Sequence, residues 1–353
     1  MSSGIRTIAK QLNVAPSSVS RALAGKPGVS EKLRKKILSL AGALAYAPSP
    51  MASSLRSGKG QGLVIITATQ PTQISSVRTR MLFEKAQHSF GGVRLHVKSQ
   101  DESIDEAVRR ALAWGPAAII TSSLEGALRN ETSARLRERE VPLVSMDGEI
   151  PGHDAIVIER STGVSQAARL ILLSGREQPL FLSQATLQDP DDRLIGARHG
   201  FESLGRRFEE RYVRQALKIR EKSAPAIGFE SARQILESSS SDAIFCYSDE
   251  MAVGVLRYLL AVGVRVPEDI MVVGFDDLPV AEYLTPSLTT VAQPVEEAAT
   301  AAIAAVADRA GAFDVPPRRL VLQTRLIIRE SAPASPSIKK KVFADKAISV
   351  LKK

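Results

Sequence analysis

The chain has 353 residues, of which 44% are hydrophobic, and it contains one cysteine. This length suits two or three domains with a substantial core, so global disorder is not expected. No apolar run reaches the roughly 18 residues of a membrane span, and the N-terminal residues lack the apolar core of a secretion signal. Because Cys246 has no partner for an internal disulfide, the sequence predicts a protein of a reducing, cytoplasmic compartment.

The net charge of +9 is concentrated at the two ends of the chain. Residues 1–60 contain ten Lys and Arg and one acidic residue, and residues 331–353 contain six Lys and one acidic residue. The residues between them carry 31 basic and 36 acidic side chains, a net charge of −5. This asymmetry predicts a nucleic-acid-binding head on a body with a different task.

The first 47 residues have the apolar spacing of short helices. Ile8 and Leu12 are four residues apart, as are Val19 and Leu23, and a third apolar run at helical spacing follows them. Two short helices across a tight turn, with a third that closes a small core, are typical of a helix-turn-helix. We therefore predict an all-α helix-turn-helix DNA-binding domain over residues 1–47.

The predicted second helix lies in the stretch VAPSSVSRAL, residues 14–23, which contains three serines and Arg21. In a helix-turn-helix this helix enters the major groove, where small hydroxyl side chains allow a close approach and an arginine can donate twice to a guanine or a phosphate. The alternative is that the serines only cap the helix and that Arg21 is solvated. The basic head and the three-helix pattern favour DNA binding.

Residues 7–59 resemble the head of the lac repressor/galactose repressor family. The matching pieces include VSR at residues 19–21, GKP at residues 25–27 and SLR at residues 54–56, whereas Ala15 stands where the family usually has a serine. The resemblance implies DNA contacts from the following residues: Thr7, Pro16, Ser17, Ser18, Ser20, Arg21, Lys26, Ala52, Leu55 and Arg56.

The same resemblance implies a hinge helix and linker at residues 48–61. The segment SPMASSLR is too short to stay helical alone in water, so it would fold only when DNA and a partner copy hold it. Leu55 would then pry apart a base step from the minor groove. The alternative, favoured by the serines, the prolines and the following GKGQG, is an ordinary linker.

From Leu63 onward, short apolar runs alternate with amphipathic stretches. This alternation predicts an α/β body of two doubly wound parallel-sheet lobes, with a small polar ligand at the carboxyl ends of the strands between them. The eight predicted strands are GLVIIT, VRLHV, AAIIT, VPLVS, AIVI, PLFLS, AIFCY and IMVVGF. The body is similar to the same family over nearly its whole length, as in SDEMAVGVLRYL and VRVPEDIMVVGFDDLP, which implies a periplasmic-binding-protein-like fold.

The body is predicted to span residues 62–330 and to form the effector-binding and dimerisation domain. The tail contains Phe343, Ala347 and Leu351 at a spacing of four, which is too short a seam for a coiled coil, so it is expected to be basic and flexible. The predicted boundaries are residues 62–160 plus 292–320 for the first lobe, 161–291 plus 321–330 for the second, and 331–353 for the tail.

The resemblance also implies residues that hold a small effector. Arg193 in DRLIG and Asp276 in GFDDLP occupy effector-binding positions of the family, and Asp147 follows a strand at which members present a polar pocket residue. An arginine fork with carboxylates is suited to clamping sugar hydroxyls. The alternatives are that the two aspartates belong to plain turns and that Arg193 is a surface residue of a helix.

Two further positions are less specific. Ser248 stands where the family commonly has an asparagine, and it either lines the pocket or caps the helix that follows. After the first strand the family usually has an Asn-Pro-aromatic-aromatic segment, but this chain has TATQPTQISSVR, in which Gln73 is the main candidate to contact the effector, beside Gln70 and Ser75. These departures leave open a sugar, a sugar acid, a phosphorylated sugar or no effector.

The sequence thus predicts a sequence-specific transcription regulator, with repression as the expected sign. It would act as a homodimer on a near-palindromic double-stranded DNA operator, under the control of a sugar-like effector and without a membrane. No G-x-S-x-G elbow, metal-ligand spacing or phosphate-binding loop is present, so no catalysis, cofactor or metal is expected. The alternatives are a cytoplasmic sugar-binding protein without a specific operator, an effector-independent regulator, and an activator.

Overall fold

The structure is a computed structural model, and it describes most of the chain. The described residues are 8–9, 11–12, 14–23, 28–43, 62–69, 72–90, 92–216, 223–309 and 313–344.

The head packs short helices around a small apolar core. Helix α1 spans Pro16–Leu23, and helix α2 spans Glu31–Ala43. Ile8, Val19 and Ile37 are fully buried against each other, so the spacing in the sequence correctly identified the inward faces. The backbone N–H of Leu33 donates to the hydroxyl of Ser30 at 3.4 Å, which caps the start of α2.

Two α/β lobes form the rest of the described chain. The strands are β1 Leu63–Ala68, β2 Val93–Lys98, β3 Ala118–Ser122, β4 Leu143–Met146, β5 Asp154–Glu159, β6 Pro179–Ser183, β7 Val213–Gln215, β8 Ala243–Phe245, β9 Met271–Asp276, β10 Thr289–Ala292, β11 Arg319–Gln323 and β12 Arg325–Ile327. The helices are α3 Gln73–Ser89, α4 Ile104–Ala113, α5 Asn130–Glu138, α6 Ser161–Leu173, α7 Asp192–Glu202, α8 Ala224–Ser238, α9 Asp249–Ala261, α10 Val295–Arg309 and α11 Pro336–Val342. Two short 3₁₀ helices span Glu210–Tyr212 and Pro279–Tyr283.

Each lobe is built on one six-stranded sheet. The first sheet has the order β11-β5-β4-β3-β1-β2, and the second has the order β12-β10-β9-β8-β6-β7. Neighbouring strands are parallel except β12, which is antiparallel to β10. Because parallel strands are joined by crossover helices, helices cover both faces and the inner strands are buried, as in β4, where all four residues are buried. Two doubly wound lobes were predicted, and the structure confirms them.

Apolar clusters on both faces of each sheet position the helices. In the first lobe α4 buries Ile104, Val108 and Leu112 at helical spacing, and a capping box between Ser103 and Glu106 fixes its start. In the second lobe α8 and α9 pack closely because both carry glycine where they cross. A methyl group on Gly254 would lie 1.8 Å from the carbonyl oxygen of Pro225.

The chain crosses between the lobes three times. The first crossing lies between β5 and α6, the second between β10 and α10, and the third at Thr324, between β11 and β12. The approximate boundary predicted near residues 320 and 321 lies about three residues before this crossing, because β11 pairs with β5 in register as far as Gln323. The sequence RLVLQTRLII has no Gly or Pro to mark where one strand ends and the next begins.

The described part contains more strands than the sequence predicted. The segments that form β7, β10, β11 and β12 were not identified as strands. Each has only three to five residues, so none gives a periodic pattern long enough to stand out. The alanine-rich helix α10 was also not predicted, although it packs on α3 and closes the core of the first lobe with Ala298, Ala299 and Ala302.

The prediction of a flexible tail is wrong for residues 331–344. Ala332 is fully buried, and α11 packs against α6 with Val342 fully buried in the core of the second lobe. A guanidinium N–H of Arg169 in α6 donates to the carbonyl oxygen of Lys341. The tail is therefore amphipathic: an apolar side packs on the lobe while Lys339 and its two lysine neighbours stay exposed. Residues 345–353 lie outside the described part.

Candidate effector site and DNA-binding head

The structure places Arg21, one of the predicted DNA-reading residues, on the exposed side of α1. Arg21 is exposed and Ser18 is half-buried, whereas Val19 and Ala22 face the core. Pro16, Ser17 and Ser20 also lie in α1. The remaining predicted contacts, Thr7, Lys26, Ala52, Leu55 and Arg56, lie outside the described residues, as does the predicted hinge at residues 48–61.

A second group of polar side chains lies where the carboxyl ends of the two parallel sheets meet. Ser123 follows β3, Asp147 follows β4, and Arg160 follows β5 in the first lobe. Asp276 is the last residue of β9, and Gln293 follows β10 at the second crossing. Small ligands of open α/β sheets bind at such ends, so this cluster is the candidate effector site.

Arg78 of α3 is the central cation of the cluster, with a side chain that is only 2% exposed. One guanidinium nitrogen, Nη1, forms an ion pair with Oδ2 of Asp147 and donates to Oγ of Ser123 at 2.7 Å. The other, Nη2, donates to Oε1 of Gln293 at 2.5 Å. Burial lowers the pKa of Arg78, and the like charges of Arg160 and Arg193 add to the lowering, against the opposing effect of Asp147.

Asp147 is fully engaged by the protein itself. Its Oδ2 accepts from Arg78 and, at 3.3 Å, from the hydroxyl of Ser123, while its Oδ1 accepts from Nη2 of Arg160. Arg160 also approaches Asp192 of α7, across the crossing, at 3.9 Å. The carboxylate expected to hold a ligand hydroxyl is thus already paired with two guanidinium groups.

Gln293 connects the charged groups of the two lobes. It accepts from Arg78 through Oε1 and donates from Nε2 to Oδ1 of Asp276 at 2.5 Å. Asp276 is 5% exposed, and burial raises its pKa to about 6, against the lowering effects of Arg193, the Gln293 hydrogen bond and Arg78. A continuous polar chain therefore runs from α3 in the first lobe to β9 in the second.

Arg193 lies between two aromatic rings at the start of α7. The central carbon of its guanidinium is 4.0 Å from the ring centroid of Tyr247 and 4.1 Å from that of Phe275. Its Nη1 is 3.8 Å from Oδ2 of Asp191, which is too long for a hydrogen bond. Its Nε is buried without a hydrogen-bond partner among the described residues. Arg193 is therefore a sandwiched, half-buried cation rather than a solvated surface residue.

The two remaining predicted residues have local structural roles. Ser248 caps α9, because its hydroxyl accepts from the backbone N–H of Met251 at 3.3 Å. Gln73 lies in the first turn of α3 with an exposed side chain, and its backbone N–H donates to Oε2 of Glu250 in the second lobe at 3.4 Å. Gln73 thus marks the rim between the lobes.

The two adjacent aspartates after β9 diverge. Asp276 and Asp277 both have positive φ angles, 120° and 53°, and Asp147 has a φ angle of 54°. Asp277 accepts from Arg329 at 2.8 Å, whereas Asp276 accepts from Gln293. Such left-handed backbone in non-glycine residues costs energy and concentrates at functional sites.

Sequence reasoning missed Arg78, Arg160, Gln293 and Ser123. Arg78 is one of two arginines in SSVRTR, and nothing in that polar stretch distinguishes a buried arginine from an exposed one. Ser123 and Arg160 were detectable, since each comes two residues after a predicted strand, as Asp147 does. Among the described residues, no group of three or more His, Cys, Asp or Glu is arranged to hold a metal ion.

Comparisons with known proteins agree with both parts of this structure. A family model of bacterial regulatory proteins of the lacI family matches residues 4–49, and one of a periplasmic binding protein-like domain matches residues 160–332. The chain belongs to the lacI family of bacterial regulatory proteins. The members of this family are transcription regulators rather than enzymes.

Similar lacI-family proteins span nearly the whole chain. The chain is 28% identical over 307 residues to the probable HTH-type transcriptional repressor ExuR of Bacillus subtilis (strain 168), covering 83% of this chain and 87% of ExuR. It is 29% identical over 354 residues to the HTH-type transcriptional regulator reg1 of Streptomyces lividans, covering 95% of this chain and 98% of reg1.

Two solved structures show the shared lacI-family fold. A lac repressor dimer bound to operator and the anti-inducer ONPF superposes with a TM-score of 0.72 at 22% identity, over 95% of this chain and 100% of that chain. A complex of the transcriptional regulator CelR with cellobiose superposes with a TM-score of 0.59 at 25% identity, over 94% of this chain and 100% of that chain. Within the described part of the present chain, no helix is both long and apolar enough to span a membrane.

Proposed function

We propose that this lacI-family protein is a transcription repressor that binds a near-palindromic operator as a homodimer, and that a small sugar-like effector between the lobes sets its operator affinity. The observation that carries this proposal is a single chain that joins a lacI-type head to a two-lobed body with a charged cluster at the strand ends. The head supplies DNA recognition, and the cluster supplies a place for a regulating ligand.

The head is suited to DNA by charge and by shape. The first 60 residues of the chain contain ten basic side chains and one acidic side chain, so counterion release favours binding to a phosphate backbone. Arg21 stands on the exposed side of α1, where a guanidinium can make bidentate contacts with a guanine. In the proposed complex Leu55 of the hinge inserts into the minor groove, and Lys26 and Arg56 contact the backbone.

The cluster between the lobes is suited to transmit ligand binding. Arg78 and Gln293 link the first lobe to Asp276 of the second, so a ligand that contacts these groups changes the contacts between lobes. A ligand shifts a conformational equilibrium only through different affinities for the two states. In the proposed site, Arg193 and Asp276 touch the effector, Asp147 positions Arg78, and Gln73 and Ser248 lie at the edge. That CelR has been solved with cellobiose supports a sugar-like effector.

An exposed apolar surface on the second lobe supports the homodimer. Tyr283 is 80% exposed and Leu260 is 70% exposed, and Val262 and Val280 are also largely exposed. These residues lie on the 3₁₀ helix Pro279–Tyr283 and at the end of α9, two elements that pack on the same core. Exposed apolar patches of this kind mark protein interfaces, and a similar solved repressor is a dimer.

Selection of random duplex DNA by the full-length protein, followed by sequencing, tests this function. At about 150 mM salt, nonspecific phosphate binding is weakened, so recovery reports base recognition. We expect a two-fold symmetric site, since two heads of a dimer read two half-sites. Recovery of random sequences, both alone and with the small-molecule fraction of a cell extract, would contradict the proposal and would favour a sugar-binding protein without an operator.

A further inference from the structure

We propose that the effector carries an anionic oxygen group, a carboxylate or a phosphate, and that Arg78 and Arg193 bind this group. This inference rests on the proposed function, because it names the chemical class of the ligand for the same cluster. It differs from a plain sugar-hydroxyl clamp in assigning the main recognition to guanidinium donors rather than to carboxylate acceptors.

Few carboxylate oxygens of the cluster remain free to accept a hydrogen bond from a ligand. Both oxygens of Asp147 accept from side chains of the protein, Oδ1 from Arg160 and Oδ2 from Arg78 and Ser123. Oδ1 of Asp276 accepts from Gln293. A neutral sugar offers hydroxyl donors that need such acceptors. Asp147 is already engaged, and the carboxylate oxygens beside the cluster that accept no hydrogen bond from a described residue are Oδ2 of Asp276 and Oδ2 of Asp191.

The guanidinium groups of Arg193 and Arg78 have N–H donors without a hydrogen-bond partner among the described residues. Arg193 makes no hydrogen bond to another described residue, although its side chain is only 13% exposed, and its Nε is buried and without a partner there. Nε of Arg78 is also buried without a hydrogen-bond partner among the described residues. Buried donors without partners are costly and uncommon in native proteins, and a ligand with acceptor oxygens would satisfy them.

Three positively charged guanidinium groups belong to this region of the protein. Arg78, Arg160 and Arg193 all lie within electrostatic range of Asp276, and the charges of Arg160 and Arg193 disfavour the charged form of Arg78. An anion between these guanidinium groups would relieve that repulsion. Guanidinium groups pair bidentately with both carboxylates and phosphates, so either anion fits the chemistry.

Asp191 is the carboxylate that works against an anion at this place. Its Oδ2 lies 3.8 Å from Nη1 of Arg193 and is itself buried without a hydrogen-bond partner among the described residues, and its Oδ1 accepts from the backbone N–H of Leu194 as the cap of α7. Asp191 is thus fixed by the helix that it caps, and it leaves the aromatic-flanked guanidinium of Arg193 without a hydrogen bond. Arg78 belongs to the first lobe, and its charge and that of Arg193 both act on Asp276.

Calorimetric titration of the full-length protein with matched pairs of compounds tests the inference. The pairs are D-glucuronate with D-glucose, D-galacturonate with D-galactose, and glucose 6-phosphate with glucose. We expect at least one anionic member to bind more than about tenfold more tightly than its neutral partner, since charged hydrogen bonds to a desolvated guanidinium contribute strongly. A uronate preference assigns a carboxylate and a sugar-phosphate preference assigns a phosphate, and either result supports the inference.

Three variants sharpen the test. Arg78→Gln and Arg193→Gln should each reduce the ratio of anionic to neutral affinity by about tenfold or more. Arg80→Gln is the matched control, because Arg80 lies on the same helix but is exposed and pairs with Glu84 at 3.1 Å. If Arg78→Gln fails to fold, Arg193→Gln carries the test, since its partly exposed side chain lacks the buried ion pair of Arg78.

The inference is overturned if neutral sugars bind as tightly as their anionic partners, if no anionic compound binds, or if the preference survives in both variants. Binding of each sample to the selected operator duplex separates this failure from that of the proposed function. If the protein binds DNA specifically but gives any of these ligand results, only the proposal of an anionic effector is contradicted. Absence of specific DNA binding by the wild-type protein, both alone and with the small-molecule fraction of a cell extract, removes the proposed regulator.

Discussion

Arg78 of α3 and Asp147 after β4 form an ion pair in which the two side chains are 2% and 6% exposed. Two charges so deeply buried are tolerated only because each is paired and hydrogen-bonded, Arg78 with Ser123 and Gln293 and Asp147 with Arg160. These contacts among the protein's own side chains therefore fix the geometry of the cluster. A preorganised site loses less entropy on binding than a site that must assemble.

Replacing Arg21 with alanine should weaken operator binding by about 1–3 kcal/mol and relax the base preference at one position of each half-site. The exposed guanidinium on α1 is placed to contact base edges, so its loss removes discrimination as well as charge. Fluorescence anisotropy on the operator and on single-base variants measures both effects. Lys36→Ala, an exposed charge on α2, is the control that should leave the base preference intact. Unchanged base preference in Arg21→Ala would contradict the proposed docking.

Replacing Tyr283 with aspartate should shift the protein from dimer to monomer at micromolar concentration. The side chain is 80% exposed beside Val280, and a carboxylate in a desolvated apolar interface is costly. Sedimentation velocity measures the change. Val315→Asp serves as the control, because Val315 is also exposed but lies in the first lobe, and it should leave the dimer intact. A Tyr283→Asp protein that remains dimeric would show that the interface lies elsewhere.

Replacing Val342 with alanine should lower the free energy of unfolding by about 1–3 kcal/mol, because the side chain is fully buried where α11 packs on α6. The neighbouring variant Phe343→Ala should change it by less than about 0.5 kcal/mol, since Phe343 is 47% exposed. Urea unfolding of the full-length protein measures both values. Equal stabilities for the two variants would mean that α11 is not docked on the second lobe in solution.

The contribution of Asp249 to the free energy of unfolding should fall as the pH rises from about 4 to about 8. Burial raises the pKa of Asp249 to about 8, although hydrogen bonds from Thr290 and Leu278 oppose the shift. The folded state then binds more protons than the unfolded state, whose aspartate titrates near the ordinary value of 3.8, so ionisation at higher pH favours unfolding. In urea unfolding across this range, the slope of the free energy of unfolding against pH should be less negative for Asp249→Asn than for wild type. The exposed control Asp101→Asn should keep the wild-type slope. The same slope in all three proteins would contradict the assignment.

The fold was largely predictable because its signals are local. Alternating apolar and amphipathic runs predicted two parallel sheets, and the spacing of Ile8, Val19 and Ile37 predicted the core of the head. Two features depend on packing over long sequence distances and gave no such signal. The strand β11 joins the first sheet beside β5, about 160 residues earlier, and Val342 packs against α6 despite the three lysines that precede it.

The candidate site was predictable from strand ends for Asp147 and Asp276, and from the family resemblance for Arg193, which lies near the start of α7. Asp147 and Asp276 stand at the ends of β4 and β9, and there the alternation of strand and helix locates the cleft. Arg78 comes from a helix, and its burial depends on Asp147 and Gln293, which are 69 and 215 residues away in the chain. A charged residue on a helix ordinarily lies on the solvated face, so the sequence alone favours the wrong position for it.

We expect that binding of an effector to the cluster between the lobes changes the affinity of the head for DNA. The most direct measurement is the affinity of the full-length protein for its selected duplex, with and without the small-molecule fraction of a cell extract, for wild type and for Arg193→Gln. We predict a change of about 5- to 150-fold in wild type and little change in the variant, as expected for an allosteric coupling of ordinary size. An operator affinity that the extract leaves unchanged in wild type, or changes equally in both proteins, would contradict the claim.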